Sequence, residues 1–242
     1  AREVAQTCPL CRADLPEGLD GLFDLAYRAY MRIVGMVKRG ETAWVSLAAA
    51  EQEEMEEVVA MLTEAAAQGH MMAQAYLAYV YNFGRGVAQD DGRAFKLYRQ
   101  AARQGYALSQ FNLGIFYRDG RGCEQSHERA AEWWAKAAKQ GDANAECSLG
   151  RAHQNGDGVP QSYERAVELF KLSEAQGHAI ATSNLGVCYC TGLSVDQSCV
   201  EARRLYELAV ARGETKYAQS NLQDLNDIIQ RACPLLGQRV VL

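Results

Sequence analysis

From residue 70 to residue 213 the apolar and polar positions of the chain recur every 36 residues. Leu77, Leu113, Leu149 and Leu185 form one column, and Tyr81, Tyr117, His153 and Tyr189 another. Gly84, Gly120, Gly156 and Gly192 form a third, followed in register by the Gln89 and Ala94 columns. Five further glycines stand on the same grid at 69, 105, 141, 177 and 213. A fixed period between about 20 and 50 residues marks solenoids, propellers or arrays.

Within one period the spacing predicts two helices. In Tyr106 to Gly141, Phe111, Leu113, Ile115, Phe116 and Tyr117 give an apolar surface to a helix from about Ala107 to Arg118. Asp119-Gly120-Arg121-Gly122 then reads as a loop, because each glycine costs about 1 kcal/mol in a helix interior. A second helix from near Ser126 to Lys139 carries Ala130, Trp133, Trp134, Ala137 and Ala138 on one face, with Ser126 or a neighbour as N-cap. Gly141 suits the left-handed turn after it, so the grid of glycines is a set of helix stops. Ala78, Gly114, Gly150 and Gly186 fall mid-helix, where a small residue admits a close neighbour, with the Ala94 column as its expected counterpart. The Leu77 column and Tyr98, Trp134, Phe170 and Tyr206 should form a continuous seam.

Composition narrows the class. Apolar residues make up 48% of the 242 and the net charge is -5, which argues against disorder and against a nucleic-acid protein with a basic face. No run is apolar enough to span a membrane, and Ala1 to Thr7 lack a signal-peptide core. The absence of an initiating Met reads as a trimmed fragment. None of the eight cysteines falls in a fixed column, as repeated staples would, so most read as reduced thiols of an intracellular, cytoplasmic protein. A secreted or luminal protein with oxidised cysteines is the alternative.

The pattern A-x-x-x-L-G-x-x-Y-x-x-G-x-G-V-x-Q resembles the Sel1-like repeat, a helix-turn-helix module similar to the tetratricopeptide repeat. Ala181, Leu185, Gly186, Tyr189 and Gly192 carry it, as does Gly84-Arg85-Gly86-Val87-Ala88-Gln89-Asp90. The resemblance implies an all-α, right-handed superhelical solenoid of two-helix Sel1-like repeats. A half repeat would occupy 54–69 and full repeats 70–105, 106–141, 142–177 and 178–213. Residues 17–53 would be a helical linker or degenerate capping repeat, and 214–242 a closing helix and tail. Ser194 departs from the pattern at the second loop glycine. The family implies a non-enzymatic adaptor whose first helices line a concave partner groove. The outward positions Gln74 and Tyr76, Gln110 and Asn112, Glu146 and Ser148, Thr182 and Asn184 are its candidate contacts; otherwise they are merely solvated.

Cys8-Pro9-Leu10-Cys11-Arg12 is the one motif outside the grid. C-x2-C offers two thiolates to a zinc ion, but a structural site takes four ligands, and no His or Cys lies between Cys11 and His70. A redox pair or two incidental thiols are the other readings. The form C-P-x-C-R resembles the final ligand pair of a RING-type zinc finger (residues 1–16), whose other ligands would precede Ala1. That resemblance implies zinc and a ubiquitin-conjugating enzyme as partners of a longer protein, with this chain as the substrate-recognition part of a ubiquitin-protein ligase. This chain alone should hold no cofactor and no ligase activity.

Other chemistry lacks its residues. His127-Glu128 has no second His for a zinc-protease helix, and the Gly-x-Gly loops lack the third glycine and strand of a dinucleotide site. The resulting expectation is a protein-binding scaffold with no catalytic residue, no nucleic-acid partner and no membrane.

Overall fold

A computed structural model describes residues 18–44, 46–214 and 216–232, and among them the regular structure is helical. The chain forms two compact units, residues 1–125 and 126–242. The first holds α1 (Leu19–Lys38), α2 (Ala49–Ala67), α3 (Met71–Phe83), α4 (Asp91–Arg103) and α5 (Ala107–Asp119). The second holds α6 (His127–Ala138), α7 (Ala143–Asn155), α8 (Tyr163–Ala175), α9 (Ala179–Thr191), α10 (Cys199–Ala211) and α11 (Lys216–Ala232).

Local chemistry sets the helix ends. Asp90, Ser126, Ser162 and Ser198 accept from the backbone N–H three residues on and so cap α4, α6, α8 and α10. Three of the other helices, α3, α7 and α9, use a different column: His70 Nδ1 accepts from Ala73 N at 3.1 Å, Asp142 from Ala145 N at 2.8 Å, and His178 Nδ1 from Ala181 N at 3.1 Å, while Tyr106 gives α5 no side-chain cap. Such caps contribute about 1 kcal/mol each. The glutamine column closes the loop inside three of the four repeats. Gln125, Gln161 and Gln197 donate to the carbonyls of Arg118, Gln154 and Cys190, seven residues back, at 2.7, 2.9 and 2.8 Å.

In the first unit, Phe23, Tyr30 and Ile33 of α1 pack with Met55, Val58 and Leu62 of α2 and with Leu77 of α3. Burying side chains of this size is worth roughly 1.5–3 kcal/mol each. Further along, α4 meets α5 through edge-on ring pairs, Tyr98 with Phe116 at 5.5 Å and Phe95 with Tyr117 at 5.4 Å. In the second unit, Phe170 of α8 is buried with Cys147 of α7 and with Leu185 and Cys188 of α9. Ala202 and Tyr206 of α10 then pack on Leu225 of α11, which ends the described array.

The mid-helix glycines have a clear reason, and it differs from the expected one. A methyl group at Gly150 would lie 2.7 Å from the Phe170 ring, and one at Gly186 would lie 2.7 Å from the Tyr206 ring. Their counterpart is therefore the aromatic column and not the alanine column of Ala166 and Ala202. The second loop glycines Gly122 and Gly158 lie against backbone instead, whereas Gly86 faces the side chains of Met55 and Leu47. A Cβ on Gly158 would overlap the His127 carbonyl and the Glu128 nitrogen, so this loop is seated on the start of α6.

Candidate functional site

The eight candidate contacts split into two sets. Gln74, Gln110, Glu146 and Thr182 are buried, between 0% and 5% exposed, which corrects the expectation that they face outward. Residues that end the second helix of a repeat account for three of them. Gln104 donates to Gln74 Oε1 at 2.8 Å, Gln176 to Glu146 Oε2 at 2.8 Å, and Arg212 to Thr182 Oγ1 at 2.7 Å. The donor stands 30 residues after its acceptor each time, so the pair clasps the two helices of one repeat. Gln74 and Gln110 also donate to the Ala66 and Ala102 carbonyls at 3.1 Å. Glu146 has no N–H to give, and burial raises its carboxyl above the ordinary value against the opposing Gln176 bond. These polar groups serve the interior.

Tyr76, Asn112, Ser148 and Asn184 stay partly exposed. Two of them, Tyr76 and Asn112, line a cavity of about 330 Å³ in the first unit. Tyr30 and Met31 of α1, Tyr79 of α3, Tyr98 of α4, and Tyr106 and Leu108 at the start of α5 complete much of its wall. Met31 and Leu108 are 42% and 47% exposed, unusual for large apolar side chains beside an open hollow. Burial raises the phenols of Tyr30, Tyr76 and Tyr98 above their ordinary value, so they are neutral donors at physiological pH. The Tyr98 hydroxyl is buried beside Asn82, whose amide oxygen accepts from Arg121 at 2.6 Å.

Arg85 forms the charged side of this cavity. It follows Gly84, the left-handed residue that ends α3, so the turn carries its side chain back over the helix. The guanidinium donates to Tyr30 Oη at 2.8 Å and lies over the rings of Tyr79 at 4.5 Å, Trp44 at 5.2 Å and Phe83 at 5.6 Å. Lys38, at the end of α1, lines the same cavity. Neither Arg85 nor these tyrosines other than Tyr76 was a candidate from sequence. The signal was present in the density of rings from Tyr76 to Phe83 beside a loop arginine.

In the second unit Asn184 lies at a hollow of about 570 Å³, with Arg151, Ile180, Ser183, Arg212 and Tyr217. Ile180 and Tyr217 are 48% and 63% exposed. Arg212 is already held there by Glu174 at 2.8 Å and by Thr182. Ser148 lies outside both linings.

Cys8 and Cys11 lie outside the described residues. Cys147, Cys188, Cys190 and Cys199 are free thiols. Burial pushes Cys147 and Cys188 up to about 11, far from a reactive thiolate. Among the described residues, no three His, Cys, Asp or Glu side chains are placed to hold a metal ion, and no helix is long and apolar enough to cross a membrane.

The family profile described as the Sel1 repeat matches residues 72–106, 107–142, 143–178 and 179–214, more than half of the chain. A solved Sel1 repeat protein from Oxalobacter formigenes is 30% identical with a TM-score of 0.67, over 76% of this chain and 71% of that one. The Escherichia coli protein c5321, a protective antigen of uropathogenic strains displaying an SLR fold, is 27% identical with a TM-score of 0.72. That match covers 92% of this chain but only 45% of c5321. No curated protein matches the sequence. The four matched segments coincide with the capped helix pairs and their glycine stops, and the fold is the all-α repeat solenoid that they build. The chain belongs to the Sel1 repeat family.

Proposed function

We propose that this chain is a non-enzymatic protein-interaction module that takes a peptide segment of its partner on the exposed side of its first-of-pair helices. The observation that carries this reading is the tyrosine-lined cavity of the first unit, with Met31 and Leu108 exposed at its edge. Ligand sites are concave, mostly apolar and set with a few convergent polar groups, and this cavity has that composition. Tyr76 and Asn112 belong to it; Asn184 marks a second place in the other unit. Gln74, Gln110, Glu146 and Thr182 act from beneath by locking helix pairs. A ubiquitin-ligase role would rest on Cys8 and Cys11 alone, and no described residue adds to it.

The test is a selection of short random peptides displayed on phage against the immobilised full chain. Enriched clones should lose retention on Leu108→Arg, a half-exposed position that tolerates charge. They should keep it on Val200→Arg, 81% exposed on α10. Retention that ignores Leu108→Arg, or a selection that enriches nothing, defeats the reading.

A further inference from the structure

The repeat supplies its own control for what a loop arginine does. Arg85 and Arg121 occupy the same column, 36 residues apart. Arg121 is satisfied within the fold: it pairs with the Asp91 carboxylate at 2.5 Å and donates to Asn82 Oδ1 at 2.6 Å. One period earlier, the position of Asp91 is taken by Met55 of α2. Met55 is fully buried in the core and offers no charge. Arg85 is thus the same cation without its carboxylate. Aromatic faces and a phenol hold it instead, and it has no ion pair among the described residues. Lys38, exposed on the same cavity, has none either.

Two unpaired cations on one side of an apolar hollow, in a chain of net charge -5, are a local reversal of sign. A guanidinium already fixed by stacking loses little further entropy on forming a bidentate carboxylate pair.

We propose that the cavity of the first unit binds an acidic peptide segment. A Glu or Asp side chain would pair with Arg85, assisted by Lys38, and a neighbouring aromatic or large aliphatic side chain would fill the space beside Tyr76, Tyr79 and Leu108. This names the chemistry of the partner and rests on the interaction reading above.

The same phage selection, read by sequence, tests it. Peptides retained on the wild-type chain should be enriched in an acidic residue within one or two positions of a large apolar one. On Arg85→Leu the acidic preference should vanish while apolar enrichment persists; Leu193 already occupies this column, so the fold accepts the change. A capped synthetic copy of the leading peptide should bind the wild-type chain at least about tenfold more tightly than its Glu→Gln version. That difference should be absent on Arg85→Leu and reduced on Lys38→Gln, an exposed site. Thermal melting checks that both variants remain folded. Enriched peptides that lose retention on Leu108→Arg but show no acidic preference, or one indifferent to Arg85→Leu, overturn this inference and leave the interaction reading standing. An empty selection defeats both.

Discussion

Replacing Gly158 by Ala should destabilise the second unit more than the same change at Gly141 or Gly156, and the margin follows from geometry. All three have a positive φ, +72°, +81° and +81°. An L side chain in that region costs roughly 1–2 kcal/mol. Lowering the entropy of the unfolded chain returns about 0.4–1 kcal/mol of it. Gly141 has nothing within 4 Å of an added Cβ, and Gly156 has only an ordinary contact with Gln161 Cβ at 3.4 Å. Both should lose about 1 kcal/mol. At Gly158 the new atom would overlap the backbone of His127 and Glu128, at the start of α6. That backbone is tied into the first turn, which Ser126 caps through Arg129 N at 3.1 Å, so it cannot swing aside as a side chain would. Overpacking of this kind adds about 1–3 kcal/mol, for a total near 2–4 kcal/mol. Urea unfolding followed by tryptophan fluorescence suits the comparison, because Trp133 and Trp134 sit on α6 itself. Equal losses at 141, 156 and 158 would refute the claim that this loop is seated on the helix start.

Three further outcomes follow from the same repeat logic. Ser194 holds the second loop position at φ +55°, where the other repeats have glycine, so Ser194→Gly should stabilise the chain by about 1 kcal/mol and raise its urea midpoint; a lower midpoint would contradict this. Glu146→Gln should stabilise the chain by about 1 kcal/mol near pH 7, since an amide keeps the Gln176 bond and can donate to the Ala138 carbonyl as Gln110 does to Ala102. Because burial raises the folded carboxyl above 4.5, the native group costs nothing below that value and its penalty appears as pH rises; a gain that persists unchanged at about pH 4 would contradict this. His178 caps α9 through an unprotonated Nδ1, and burial lowers its pKa below 6.5 against the opposing Asp142 charge. Its contribution is therefore complete above 6.5 and is lost as pH falls. His178→Asp, the residue type that caps α7, should flatten that part of the acid sensitivity when urea midpoints are compared at about pH 7.5 and 5.5.

The repeat boundaries, helix ends and stops were legible without a structure because each is a local matter. A glycine that must take positive φ, or a Ser or Asp that caps an N–H three residues on, writes itself into one column. The candidate contacts were less legible for the opposite reason. Gln74, Gln110, Glu146 and Thr182 are polar residues on a helix expected to face a groove, and polarity alone suggests water. Their covering partners stand 30 residues later at Gln104, Gln176 and Arg212, each just before a glycine stop. A column of polar residues in step with a column of polar helix ends was the available clue.

The sequence by itself determined that this protein is a stack of helix pairs, because a period of 36 with fixed stops admits no single central core. It also placed Tyr76 and Asn112 on the side that turned out to line a cavity. Only the tertiary structure decided which polar side chains are spent inside the stack and which charges are left over. Arg85 and Arg121 are the same residue in the same column, yet one meets Asp91 and the other lies over Tyr79 beside an open hollow. A residue's own repeat fixes its backbone, and the preceding repeat fixes its electrostatic partner. Where that neighbour changes from Asp91 to Met55, a half-buried ion pair becomes a half-buried cation without a carboxylate.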